Sequence, residues 1–290
     1  MSAARSRTSD GGWAMGHGRA IAAVAPTSVD ELTANLVGIG MLVGGEGSAA
    51  PNIEDTLLFA SVEGMLRDDL RVLAVLVTWF GVHAARINAD RLTRLVEMEG
   101  SARVHAFWDG LARWRASDRR FARLVHGEHH ARVDLLRSGT AFQLARHGED
   151  PRFAGSWLRV PANVLRDRPD DILSPAELAE RHEAYRWRVI IGPTYRADMW
   201  AALQAVPCLN AADLARRAFG SFATAWQVKK DFGLVAGIWE ADHGQRGRHR
   251  LVQQRAVSQT RVGRASSPTG SRSSGAKPTR RGSPRTGPRK

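Results

Sequence analysis

The densest group of side chains able to hold a metal is His126, Glu128, His129 and His130, with Asp134 beyond. On a helix His126 and His130 would share a face, as would His130 and Asp134, and imidazole with carboxylate suits a zinc-type ion. The glutamate does not fall inside a His-Glu-x-x-His frame, so the plainer reading is a polar, partly exposed helix end. Gly38-Ile-Gly40 and Gly44-Gly-Glu-Gly47 have the look of a phosphate cradle. No strand signal precedes them and no Gly-Lys-Ser/Thr follows, so they read as a helix C-terminus and a loop up to Pro51. Arg113, Arg115, Arg119, Arg120 and Arg123 flank Trp114 and Phe121; with Asp109 and Asp118 diluting them, a solvated helix face is the simpler account. Cys208 is the single cysteine, which excludes an internal disulfide and is expected to be a buried, inert thiol. No nucleotide fingerprint, metal frame or activated nucleophile stands out. No cofactor is expected, and an enzyme is the minority reading.

The stretch that organises the chain is Leu209 to Val235, LNAADLARRAFGSFATAWQVKKDFGLV. Asn210 can cap a helix over Ala211 to Ala218, with Asp213 near its positive end and Leu209 and Leu214 placed for a hydrophobic staple. Ser221 can cap a second helix. Its Phe222, Ala225, Val228 or Lys229, and Phe232 would face the core, leaving Ser221, Thr224, Gln227 and Lys230 on another face for a partner.

Ala212, Leu214, Ala215, Ser221 and Thr224 fit the pattern A-x-L-A-x-x-x-G-x-S-x-x-T, and on those residues the stretch resembles the helix-turn-helix of bacterial winged-helix DNA-binding domains. One departure stands out. Phe219 occupies the place of the turn's small residue, and Gly220 follows where a β-branched core residue is common. The resemblance implies a preceding helix, read over Tyr195 to Ala205 with Met199, Trp200 and Leu203 facing the pair. It also implies a wing, read as a small β-hairpin from Leu234–Trp239 to His249–Val252. The DNA-contacting residues it implies are Ser221, Thr224, Gln227, Lys229 and Lys230 on the second helix, and Arg246, Arg248 and Arg250 at the wing.

The formal charge of +13 in 290 residues is unevenly placed. Residues 245–290 hold 13 of the 42 Lys and Arg and no Asp or Glu, which leaves 29 basic against 29 acidic residues before them. The basic end has few apolar residues, so it is expected to be disordered alone and attracted to polyanions. At the other end the apolar run Ala20 to Ala25 is shorter than a signal-peptide core, and Val72 to Val82 is far short of a bilayer span. A cytoplasmic protein with no membrane partner is expected.

Helical periods and caps then set the architecture. Ser28 with Glu31 opens a helix that runs toward Gly44; Asn52 opens a second, Asp68 a third that is apolar nearly all round, Asn88 a fourth, Ser101 a fifth and Ser117 a sixth. TAFQLARHG and GSWLRVP read as short strands, and Ser174-Pro175 opens a helix reaching about Tyr185. The expected fold is mainly α: a disordered N-terminus (1–27), an α-helical domain (28–138), a connector (139–190), a winged helix-turn-helix domain (191–252) and a disordered basic tail (253–290). The function expected is binding of double-stranded DNA, as in a transcriptional regulator or antitoxin-like repressor, with the helical domain meeting a second copy or another protein. The alternative is a helical interaction adaptor whose helix pair is structural. A metal-dependent enzyme at His126, Glu128 and His130 comes third.

Overall fold

The computed structural model describes residues 22–127 and 131–235. Local caps set most of its elements. α1 (Val29–Gly38) starts at Ser28, whose hydroxyl accepts the Glu31 N–H, while the Glu31 carboxylate turns outward to the N–H and hydroxyl of Thr27. α2 (Ile53–Arg67), α4 (Ala89–Met98) and α5 (Ala102–Trp114) start at Asn52, Asn88 and Ser101, each cap oxygen accepting the N–H three residues on. α3 (Leu70–His83) is capped by Asp69 and not by Asp68; Asp68 is instead the left-handed residue that closes α2.

Several expected elements differ. α1 stops at Gly38, well before Gly44. The sixth helix is a 3-10 segment, Arg119–Leu124, capped by Asp118. The first expected strand is instead α6 (Thr140–His147): Thr140 is its only β-branched residue, and Ala141, Leu144 and Ala145 favour a helix. The second supplies β2 (Leu158–Arg159), which pairs in parallel with β1 (Val133–Asp134). The helix expected from Ser174 to Tyr185 is two. α7 (Pro175–Arg181) opens with a full capping box of Ser174 and Glu177, and α8 (Glu183–Ile191) restarts at His182, whose Nδ1 accepts the Tyr185 N–H. α9 (Tyr195–Ala205), α10 (Ala211–Arg217) and α11 (222–235) follow. Leu234 and Val235 are helical, so the first expected wing strand does not begin there; the rest of the wing, the N-terminus to residue 21 and the tail lie outside the described residues.

Every residue of α3 from Leu73 to Phe80 is buried, which makes it the centre of the main core. Around it Phe80 meets Trp108 edge-on at 5.9 Å and Phe121 at 5.3 Å, and Phe107 meets Phe153 at 6.1 Å. The two indoles buried in this core each have a partner for the N–H: Trp79 donates to the Ile39 carbonyl at 2.8 Å and Trp108 to the Ser61 hydroxyl at 3.0 Å.

Of the glycines before Pro51, Gly38, Gly40 and Gly47 are closely packed, while Gly44 and Gly45 meet open space. A Cβ on Gly38 would lie 2.6 Å from the Ser48 carbonyl oxygen and 2.8 Å from the Pro51 ring. Gly38→Ala is therefore expected to lower the unfolding free energy by about 1–3 kcal/mol, the range for overpacking against atoms that cannot yield. Gly100→Ala, which meets open space, should change it little; equal urea midpoints for the two variants would refute the close approach.

The main apolar core ends with Tyr185. Beyond it α9, α10 and α11 bury their own set, including Met199, Trp200, Leu203, Leu214, Val228 and Phe232. The expected boundary at 190/191 is thus a change of core within one compact unit that runs to Leu234. An aromatic ladder crosses it: Trp187 of α8 stacks on Trp200 of α9 at 5.1 Å, and Trp200 meets Phe232 of α11 at 5.3 Å.

Candidate nucleic-acid interface and the ion network behind it

α10 ends in a Schellman turn, with the Phe219 N–H donated to the Arg216 carbonyl at 3.3 Å and the Gly220 N–H to the Ala215 carbonyl at 2.9 Å. Its left-handed residue is Phe219, at φ +54°. A side chain there costs roughly 1–2 kcal/mol. The compensating contact is the Arg91 guanidinium, which lies over the Phe219 ring at 3.4 Å from the centroid. Gly220 comes next because α9 packs onto it: a Cβ would lie 2.3 Å from the Met199 methyl and 3.3 Å from the Tyr195 Cβ. The one-place shift of the glycine from the usual pattern therefore has a steric reason.

Ser221 caps α11, its Oγ accepting the Thr224 N–H at 3.1 Å, and the two hydroxyls lie 2.7 Å apart. Both residues are half-buried. Gln227 and Lys230 are exposed, while Ala225, Val228 and Phe232 are buried. Ser221, Thr224, Gln227 and Lys230 thus do not form one exposed row, because an i, i+3 series drifts by about 60° per step on a helix of about 100° per residue. The same geometry moves Phe222 roughly a quarter turn from the centre of the buried stripe, and it is 56% exposed where a core position was expected. Trp226 joins it at 55% exposed, with the Lys230 ammonium 5.8 Å from its ring centre. The Gln227 amide donates to Asp231 at 2.8 Å, and Asp231 also pairs with Arg196 at 3.0 Å. Lys229 is a tie: its ammonium donates to the Leu209 carbonyl in front of α10. Arg246, Arg248 and Arg250 lie outside the described residues.

Behind the turn is a buried ion network without a sequence motif. Arg188 of α8, 1% exposed, grips Glu54 of α2 with both terminal nitrogens, at 2.7 and 2.9 Å, and donates its Nε to Asp198 of α9 at 2.8 Å. Arg91 of α4 pairs with Asp55, the neighbour of Glu54. Burial works against the Arg188 charge, but Asp198 and Glu54 outweigh it and hold its pKa above the ordinary value. Burial raises the pKa of Asp55 and of Asp198 despite their guanidinium partners. These residues escaped the sequence reading because a Glu-Asp pair in a first helical turn reads as an ordinary dipole partner.

Two histidines nearby are kept neutral. His83 donates Nε2–H to the Leu173 carbonyl at 3.0 Å, which leaves Nδ1 to accept the Tyr185 hydroxyl at 2.7 Å. Burial lowers its pKa to about 4 and pushes Tyr185 up to about 12. Burial also lowers the pKa of His182, whose Nε2–H donates to the Pro51 carbonyl at 2.9 Å.

Comparison with family models, curated proteins and solved structures finds no match for this chain.

The remaining sequence candidates do not assemble. Residues 125–127 are not helical and Asp134 lies in β1, so neither His126 nor Asp134 is on the helix face expected for them. His126 packs against the rings of His105 and Trp157, and Asp134 ends β1 and pairs with Arg159 at 2.6 Å. Glu128, His129 and His130 lie outside the described residues, and no group of three metal-ligating side chains occurs among the described ones. Four of the five clustered arginines are committed to partners: Arg113 pairs with Asp109, Arg115 with the Gly81 carbonyl, Arg120 with Asp118 and two carbonyls, and Arg123 with Glu97, while Arg119 is exposed. Cys208 is exposed, not buried. Among the described residues no helix is long and apolar enough to cross a membrane.

Proposed function

We propose that the chain binds double-stranded DNA through α10 and α11, with α11 as the groove-facing helix, in the manner of a transcriptional regulator or repressor. The observation that carries this reading is the exposed Gln227 and Lys230 on a helix whose opposite side is packed on α9 and whose leading turn is braced by Arg91. A glutamine amide matches the adenine edge in the major groove, and a lysine ammonium matches phosphate. The 13 basic residues beyond 244 add sequence-blind, salt-sensitive attraction.

The test is selection of a site from random DNA by the full chain, followed by binding to matched specific and random duplexes. Gln227→Ala should weaken the selected duplex by about 1–3 kcal/mol and the random one little. Equal loss on both duplexes, or no selectable site, would remove the reading. The exposed Phe222 and Trp226 beside Lys230 favour a second reading, in which α11 docks on an apolar protein surface. Under it DNA binding is sequence-blind and disappears with rising salt.

A further inference from the structure

A cavity of about 390 Å³ opens between α1, the start of α2, the α7–α8 junction, α9 and the turn after α10. That volume falls within the range of sites for small organic molecules, about 300–1,000 Å³. Its walls are largely apolar, with Pro26, Leu32, Phe59, Ala201, Ala202 and Phe219 among them.

The charged groups facing it are Glu31, Asp55, Glu183, Arg188, Asp198 and Arg217. Glu31 is occupied by Thr27, Glu183 by Arg186 and the Trp187 indole, and Asp55 by Arg91 and the Val24 N–H. Asp198 differs. Its Oδ1 accepts from Arg188 and its Oδ2 accepts from no described residue, on a side chain only 11% exposed. The network behind it is unbalanced, since the carboxylates of Glu54, Asp55 and Asp198 meet only the guanidiniums of Arg91 and Arg188. The buried network is thus one carboxylate in excess where Asp198 meets the cavity, while the Arg217 guanidinium lies at the exposed rim and bonds none of the three.

We propose that this cavity binds a small organic cation, a primary ammonium on a short apolar stem, with the ammonium on Asp198 and the stem against Phe59, Ala202 and Phe219. A charge-assisted hydrogen bond to a desolvated carboxylate supplies the selectivity, because an uncharged head group of equal size leaves the surplus charge uncompensated. Phe219 belongs to both the cavity wall and the turn before α11, so a seated ligand also steadies that turn. The site stands whether or not α11 binds DNA.

The experiment is calorimetric titration of the full chain with n-pentylamine, n-pentanol and pentanoate. The amine should bind, with the alcohol and the acid about tenfold or more weaker. Asp198→Asn should weaken the amine by about tenfold or more, whereas Asp213→Asn, on α10 away from the cavity, should leave it unchanged. Ala205→Phe keeps Asp198 but fills the exposed rim of the cavity, and it should also block the amine. Circular dichroism checks that each variant folds. Amide hydrogen exchange at Phe219 and Gly220 should slow with bound amine, which places the ligand in this cavity. No binding of the amine, equal binding of the alcohol, or full binding by a folded Asp198→Asn variant would overturn the proposal.

Discussion

Arg188→Met is expected to lower the unfolding free energy by about 3–5 kcal/mol, the range for removing one partner of a buried ion pair. The loss comes from what is left behind. Glu54 loses its guanidinium while buried, Asp198 loses its partner at the cavity wall, and the Arg86 carbonyl loses a donor at 3.2 Å. Only the Asn88 N–H, at 2.8 Å, still serves Glu54. If the penalty is stranded charge, neutralising the neighbours should recover most of it, and the triple variant Glu54→Gln, Arg188→Met, Asp198→Asn should be far more stable than Arg188→Met alone. Urea denaturation at neutral pH measures both. A single-variant loss within about 1 kcal/mol would mean that water reaches the network.

Acid should destabilise the fold through His83. Its pKa is about 4 when folded and 6.5 when unfolded, so between these values the unfolded chain takes up a proton that the native one refuses. Unfolding therefore becomes easier as pH falls from 6.5 toward 4, by about 3 kcal/mol in total at 1.36 kcal/mol per unit. Below pH 4 the native imidazole also protonates and this contribution stops changing. His182, also lowered, adds to the same trend. His83→Gln can still donate to the Leu173 carbonyl but has no proton to gain, so its stability should be lower throughout and flatter over that interval. An unchanged slope in urea titrations across the interval would show that His83 is not the source.

Local signals carried much of the fold. Ser28, Asn52, Asn88, Ser101, Ser174 and Asn210 all cap the helices their positions suggested, because a cap is settled within four residues. The break between α7 and α8 was not legible, since it depends on His182 turning its ring nitrogen to the Tyr185 N–H while its other nitrogen reaches Pro51, 131 residues away. Nor was the ion network: Arg188 and Glu54 are 134 residues apart, and nothing near either one marks it as buried. On α11 the apolar stripe was read correctly at Ala225, Val228 and Phe232. The polar row failed because three-residue spacing does not hold a single face over four positions.

The Arg91–Phe219 stack also limits how α11 can move. The same guanidinium is paired with Asp55 of α2, so the turn is tied to the junction of α2 and α4 and not to its own two helices alone. A hinge at that turn would have to break an aromatic contact and expose a paired guanidinium at the same time. The start of α11 is therefore coupled to the body through one shared guanidinium, and a displacement of α2 against α4 would have to carry the Phe219 ring with it or break the stack.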